Sequence, residues 1–191
     1  SGHSSDPALG NNALEGMHQA IGALLQWRQE LQQKYRNPAF AVEVPTLNLG
    51  HIHGGDNPNR ICAECELHFD IRPLPGMDLD ALRTEIGVRL EQVLAGSGLG
   101  LEMIPLFEGI PPMETPAEAE VVIACEDLTG HPAEAVAFAT EGPYFNALGM
   151  ETVILGPGDV AQAHQPDEFV AVDRIGPGVE ILKGLIRRFC L

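Results

Sequence analysis

Basic side chains are scarce. Lys and Arg number 11 against 27 Asp and Glu, a formal net charge of −16. A surface this acidic repels a phosphate backbone, so nucleic acid is excluded as the expected partner. Long apolar runs are missing too. The longest, Val121–Cys125 and Ala135–Ala139, fall far short of the roughly 20 residues a membrane helix needs. No basic-then-apolar stretch opens the sequence, so a soluble, cytoplasmic protein is expected, with no membrane partner. Cysteine is sparse, with four residues: Cys62, Cys65, Cys125 and Cys190. Cys62 and Cys65 make one C-x-x-C, and His68 follows three residues later, but no second pair completes a structural zinc site. Cys65 alternates with Leu67, Phe69 and Ile71, which reads instead as the buried face of a strand. Free buried thiols suit a reducing compartment. There is no H-E-x-x-H, and Ser4 and Ser5 lack the glycine frame of a nucleophile elbow, so a serine hydrolase is not expected.

What is present is the composition of a folded protein. The 191 residues are 45% hydrophobic, enough for one sizeable domain or two small ones that bury about two-thirds of their surface. Asn12, with Glu15 three residues on, predicts a helix start. Leu14, Met17, Ile21, Leu24, Leu25, Leu31 and Tyr35 form its apolar stripe, and Asn37-Pro38 ends it. Strands are expected over 46–53 and 64–72, joined through the turn Gly54–Pro58. Asp78 caps a second helix with Leu79, Leu82, Ile86, Leu90, Val93 and Leu94 on one side. Residues 99–107 read as a further strand. With one strand placed ahead of Ser1, this half follows the βαββαβ ferredoxin-like order.

Four prolines between 105 and 116 mark a boundary. Thr115-Pro-Ala-Glu118 has the form of a capping box for a third helix. Residues 133–139 and 150–155 read as buried strands, and a last helix from near Asp173 carries Ile175, Val179, Leu182, Ile186 and Phe189 on one face. The alternation is that of a piece of an α/β domain.

Three places stand out for chemistry, because function in α/β sheets gathers in loops beyond strand ends. His164, in the polar loop 161–168, is either a metal ligand oriented by a neighbouring carboxylate or a plain surface histidine. Thr140-Glu-Gly-Pro-Tyr-Phe145 is either a ligand-facing turn, where glycine admits close approach, or an ordinary strand-to-helix turn. The turn 57–60 and Arg72 suit an anion, or are a hairpin turn and a charged strand end. His3 by itself reads as a solvated residue. A catalytic metal needs about three protein ligands, and these residues do not supply them.

Together the motifs become familiar. Gly2-His-Ser-Ser5, followed by Pro7, Gly10, Asn12 and Ala13, resembles the opening of the lid, or dimerisation, domain in the dinuclear zinc exopeptidase and deacylase family. Asn59 and Arg72 look like that domain's substrate-contacting pair. Thr140–Asn146 with Ala163–Glu168 is more specific and resembles the deacetylase branch. The likeness covers essentially the whole chain, but only the C-terminal half of such an enzyme.

The resemblance implies an α/β fold: a ferredoxin-like α+β lid over 1–110, its first strand upstream, then over 111–191 the closing piece of a zinc-exopeptidase catalytic domain. It implies that His164 binds metal. His3 would reach across a homodimer, formed through the lid, to stabilise an oxyanion. Asn59 and Arg72 would bind substrate, and Thr140, Gly142 and Tyr144 would line its pocket. It implies two zinc or cobalt ions in the full-length protein, with the other metal ligands and the general base upstream of Ser1. The implied activity is hydrolysis of N-acetyl-L-ornithine to ornithine and acetate, in arginine biosynthesis. Another N-acylated amino acid, such as succinyl-diaminopimelate or acetylcitrulline, is the alternative substrate. A non-enzymatic dimerisation module is the alternative of another class. The 191-residue chain alone is expected to be inactive.

Overall fold

The computed structural model describes residues 2–163 and 165–191. The chain divides into two compact units, Ser1–Pro112 and Met113–Leu191.

The first unit runs helix, strand, strand, helix, as the hydrophobic periods predict. Helix α1 spans Ala13–Lys34, and Asn12 caps it by accepting from the Leu14 N–H. Its buried stripe is Gly16, Ala20, Leu24, Trp27 and Leu31, stepping by three and four residues. That differs from the expected stripe: Leu14 is exposed, and Trp27, which the pattern omits, is among the most deeply buried side chains. Strands β1 (Thr46–Gly54) and β2 (Cys65–Arg72) pair antiparallel, from Thr46 opposite Arg72 to Gly54 opposite Cys65. Leu47 and Leu49, with Phe69 and Ile71, face α1 and help close one core. Helix α2 spans Leu79–Leu94, with Asp78 accepting from the Ala81 N–H. Its buried Leu82, Ile86, Leu90 and Leu94 bear out the predicted stripe, except that Val93 is exposed. Each fully buried leucine or isoleucine contributes about 1.5–3 kcal/mol.

Residues 99–107 do not form the expected strand. Leu101, Met103, Ile104, Leu106 and Phe107 are exposed, and among the described residues the sheet has two strands, which pair with each other. A strand exists only where a neighbour takes its hydrogen bonds, and alternation in sequence does not supply one.

The second unit holds α3 (Glu120–Thr129), the short α4 (Gly142–Ala147) and α5 (Val172–Phe189). Helix α3 packs on α5, and Arg188 of α5 lies 3.3 Å from Asp127 and 3.6 Å from Glu120. Three expectations fail. Thr115 caps nothing; its hydroxyl donates to the Thr152 carbonyl at 2.5 Å, and α3 begins only at Glu120, without a side-chain cap. Residues 133–139 and 150–155 are irregular rather than strands, and the former are exposed throughout. Among the described residues no helix is long and apolar enough to cross a membrane.

Candidate active site

The start of the chain lies along the turn between β1 and β2. The Ile61 N–H donates to the Gly2 carbonyl at 2.8 Å, and the Ser4 N–H to the Asn59 carbonyl at 2.9 Å, with His3 bridged to Arg60. Ile61 and Cys62 are buried and anchor this join, and the Cys62 carbonyl accepts from Ala13 at the head of α1. Gly2 is needed here: a Cβ on it would stand 2.5 Å from the Leu9 Cβ. The Asn57 side chain shapes the turn by accepting from the Asn59 N–H at 3.1 Å. The fold thus sets two predicted residues, His3 and Asn59, side by side and exposed to solvent.

His3 is further oriented by its neighbours. The Ser5 backbone N–H donates to its Nδ1 at 3.2 Å, and the Ser5 hydroxyl lies 2.7 Å from the same nitrogen. A backbone N–H can only donate, so Nδ1 accepts, and a neutral His3 ring carries its proton on Nε2. In that tautomer Nδ1 is occupied by Ser5 and the Nε2–H is left free to donate. Ser5 was not singled out from sequence, because its partner is fixed by backbone direction rather than by residue type.

Arg72 is not part of this cluster. It ends β2, seven residues beyond Cys65, and at 3.3 Å per residue the strand separates it from the turn by roughly 23 Å. Its Nε is 2.7 Å from Asp70 Oδ2, and both side chains are exposed.

In the second unit Thr140, Gly142 and Tyr144 do share one turn. The Gly142 N–H donates to Thr140 Oγ1 at 3.0 Å, and Pro143 opens α4. Gly142 is buried, and a Cβ there would lie 2.6 Å from Met113 Sδ and 3.1 Å from Thr140 Oγ1. Tyr144 points outward, half exposed. The assignment of His164 as a metal ligand lies outside the described residues.

Metal chemistry is only partly furnished. Among the described residues no three His, Cys, Asp or Glu side chains are placed to hold one ion. The described residues therefore do not make up a complete two-metal centre. The C-x-x-C is no exception: Cys62 Sγ donates to the Glu64 carbonyl at 3.0 Å, and burial pushes the Cys65 thiol up, with Cys62 adding to the rise. Both features disfavour the thiolate that zinc requires.

The chain belongs to the peptidase dimerisation domain family, whose profile matches residues 1–97. It is 48% identical over 190 residues to an acetylornithine deacetylase of Vibrio vulnificus and 52% identical to one of Edwardsiella ictaluri. Each alignment takes in 100% of this chain but 50% and 49% of those proteins, so the chain spans about half the length of the relatives it matches. Among solved structures it resembles a tripeptidase of Staphylococcus aureus (TM-score 0.62, 17% identity, 97% of this chain and 48% of that one). It also resembles an M20 family metallo-carboxypeptidase of Sulfolobus solfataricus (TM-score 0.60, 17% identity, 97% and 54%). The two structures speak to the fold alone.

Proposed function

We propose that this chain is the C-terminal half of a metal-dependent deacetylase that hydrolyses N-acetyl-L-ornithine to ornithine and acetate in bacterial arginine biosynthesis. The observation that carries the reading is the alignment of the whole chain, at 48% and 52% identity, with two acetylornithine deacetylases. In this reading 1–110 is the lid and 111–191 closes the catalytic domain. The parent is a cytoplasmic homodimer joined through its lids. It uses zinc or cobalt, with His164 as one ligand and the remaining ligands and general base in the other half.

His3 then serves as a donor to the oxyanion through Nε2, and Asn59 beside it contacts substrate. The length of β2 between Asn59 and Arg72 supports a division of labour, in which His3 and Asn59 reach the partner's site and Arg72 serves another. The Thr140–Tyr144 turn lines the amino-acid end of the pocket.

The test uses the full-length protein that carries this sequence. Acetate release from N-acetyl-L-ornithine is compared with turnover of succinyl-diaminopimelate and acetylcitrulline. N-acetyl-L-ornithine is expected to show the highest kcat/KM, and a higher value for either rival overturns the substrate assignment. Mixing His3→Ala with His164→Ala subunits separates an enzyme from a passive dimerisation module. Each parent homodimer is expected to be nearly silent, while a mixed dimer regains about one competent site through its two-fold interface. No rescue removes the role of His3 in trans. Metal-dependent acetate release by the 191-residue chain alone contradicts its reading as an incomplete catalyst.

A further inference from the structure

The outer face of the hairpin gathers groups that the deacetylase reading leaves unused. Pairing runs Leu47 with Ile71 and Leu49 with Phe69, then slips at Gly50, so that His51 meets His68, Ile52 meets Leu67 and His53 meets Glu66. Side chains of a strand alternate between faces. Without the extra residue, His51 and His53 would share the inward face of Leu47 and Leu49. The bulge reverses that parity, turning both histidines outward and Ile52 towards Leu67. Two rungs of the ladder, His51 with His68 and His53 with Glu66, therefore adjoin on one solvent-facing surface.

Their geometry is specific. The His51 and His68 ring centroids are 4.9 Å apart, with planes tilted by 48°. His68 Nε2 lies 2.5 Å from Glu66 Oε1. A carboxylate only accepts, so a neutral His68 donates from Nε2 and keeps its Nδ1 lone pair available. A histidine held by a carboxylate through one nitrogen is how metal-binding imidazoles are generally oriented. Adjacent imidazoles suit zinc, nickel and copper(II). The same face continues through Asp70, which is tied to Arg72 rather than to the histidines.

We propose that His51 and His68 form a two-imidazole chelate for a borderline divalent transition-metal ion, with Glu66 as the positioning residue that orients His68 and water filling the remaining coordination. The site uses no residue assigned to deacetylation and does not rest on that reading. No third His, Cys, Asp or Glu among the described residues completes it. It is therefore a reversible surface site rather than a structural one.

Zinc chloride titrated into the full chain tests this, by calorimetry and by NMR of the imidazole signals. The His51 and His68 rings are expected to respond together. Affinity should fall at least about tenfold in His51→Ala and in His68→Ala, and about threefold or more in Glu66→Gln, while His131→Ala, at an exposed histidine of the second unit, keeps the wild-type value. His51→Gln and His68→Gln repeat the test should either alanine variant lose its far-UV circular dichroism. Saturable binding no tighter than about 1 mM overturns the site. So does an affinity unchanged by both histidine replacements, or one lost only in His131→Ala. An affinity unchanged in Glu66→Gln overturns the role given to Glu66.

Discussion

His3 shows how much a single position owes to its two successors. Nothing in Gly2-His-Ser-Ser5 says which ring nitrogen carries the proton, yet the Ser5 N–H and hydroxyl both meet Nδ1. On the proposed role of His3 as an oxyanion donor, His3→Ala in the full-length protein is expected to lower kcat by roughly 10²–10³-fold, with an unchanged melting curve. Ser5→Ala removes one of the two donors to Nδ1, so the proportion of Nδ1–H tautomer should rise, as read from imidazole ¹⁵N shifts. Gly142 has a steric duty instead. Gly142→Ala sets a methyl 2.6 Å from Met113 Sδ, and a flexible methionine can partly swing away. The expected loss is about 1 kcal/mol, at the low end for overpacking, and smaller still in a Met113→Ala background. Thermal melts of the single and double variants check this.

At the scale of elements, α1 carries the first unit. Trp27 is almost wholly buried, and its Nε1 has no hydrogen-bond partner among the described residues. Trp27→Ala is expected to cost about 3–5 kcal/mol in denaturant unfolding. Trp27→Phe should cost under about 2 kcal/mol, because it also removes an unsatisfied buried donor. Helices α1 and α2 are tied by Arg89, whose Nη2 reaches Glu30 at 2.6 Å and Glu85 at 3.0 Å. The Arg89 hydrogen bond, with help from Gln26, holds the Glu30 carboxyl below its ordinary value of 4.5. A carboxyl depressed on folding stabilises above its unfolded pKa, and that contribution fades as pH falls through the lower folded value. The tie should therefore survive mild acid. In Arg89→Met the Glu30 titration followed by NMR should move back up towards 4.5.

For the whole molecule, burial is uneven. The described core cluster joins α1, α2 and the hairpin, whereas among the described residues of the second unit the buried hydrophobics are Ala119, Val122 and Ala124. On α5 the stripe Ile175, Val179, Leu182, Ile186 and Phe189 is exposed by 44–54%. That face has the period of a buried helix side without the burial. Amide hydrogen exchange is expected to be slower in α1 and α2 than in α5 by at least about tenfold, because opening free energy follows buried apolar contact. Equal protection in the two units would contradict that ranking.

The features legible in the chain were those made by near neighbours along it. Asn12 and Asp78 announce their helices because a cap acts within three residues, and β2 declares its faces through the alternation of Cys65, Leu67, Phe69 and Ile71. The candidate residues were legible as motifs, since each lies in a short, distinctive stretch. Tertiary structure alone decided the matters that need a distant partner. It put Trp27 in the core, set His3 beside Asn59, slipped the hairpin register at Gly50, and left 99–107, 133–139 and 150–155 without strand neighbours. A helix satisfies its hydrogen bonds within its own segment, so its sequence suffices to propose it. A strand or a site is completed by residues far along the chain, and only folding determines which of them arrive.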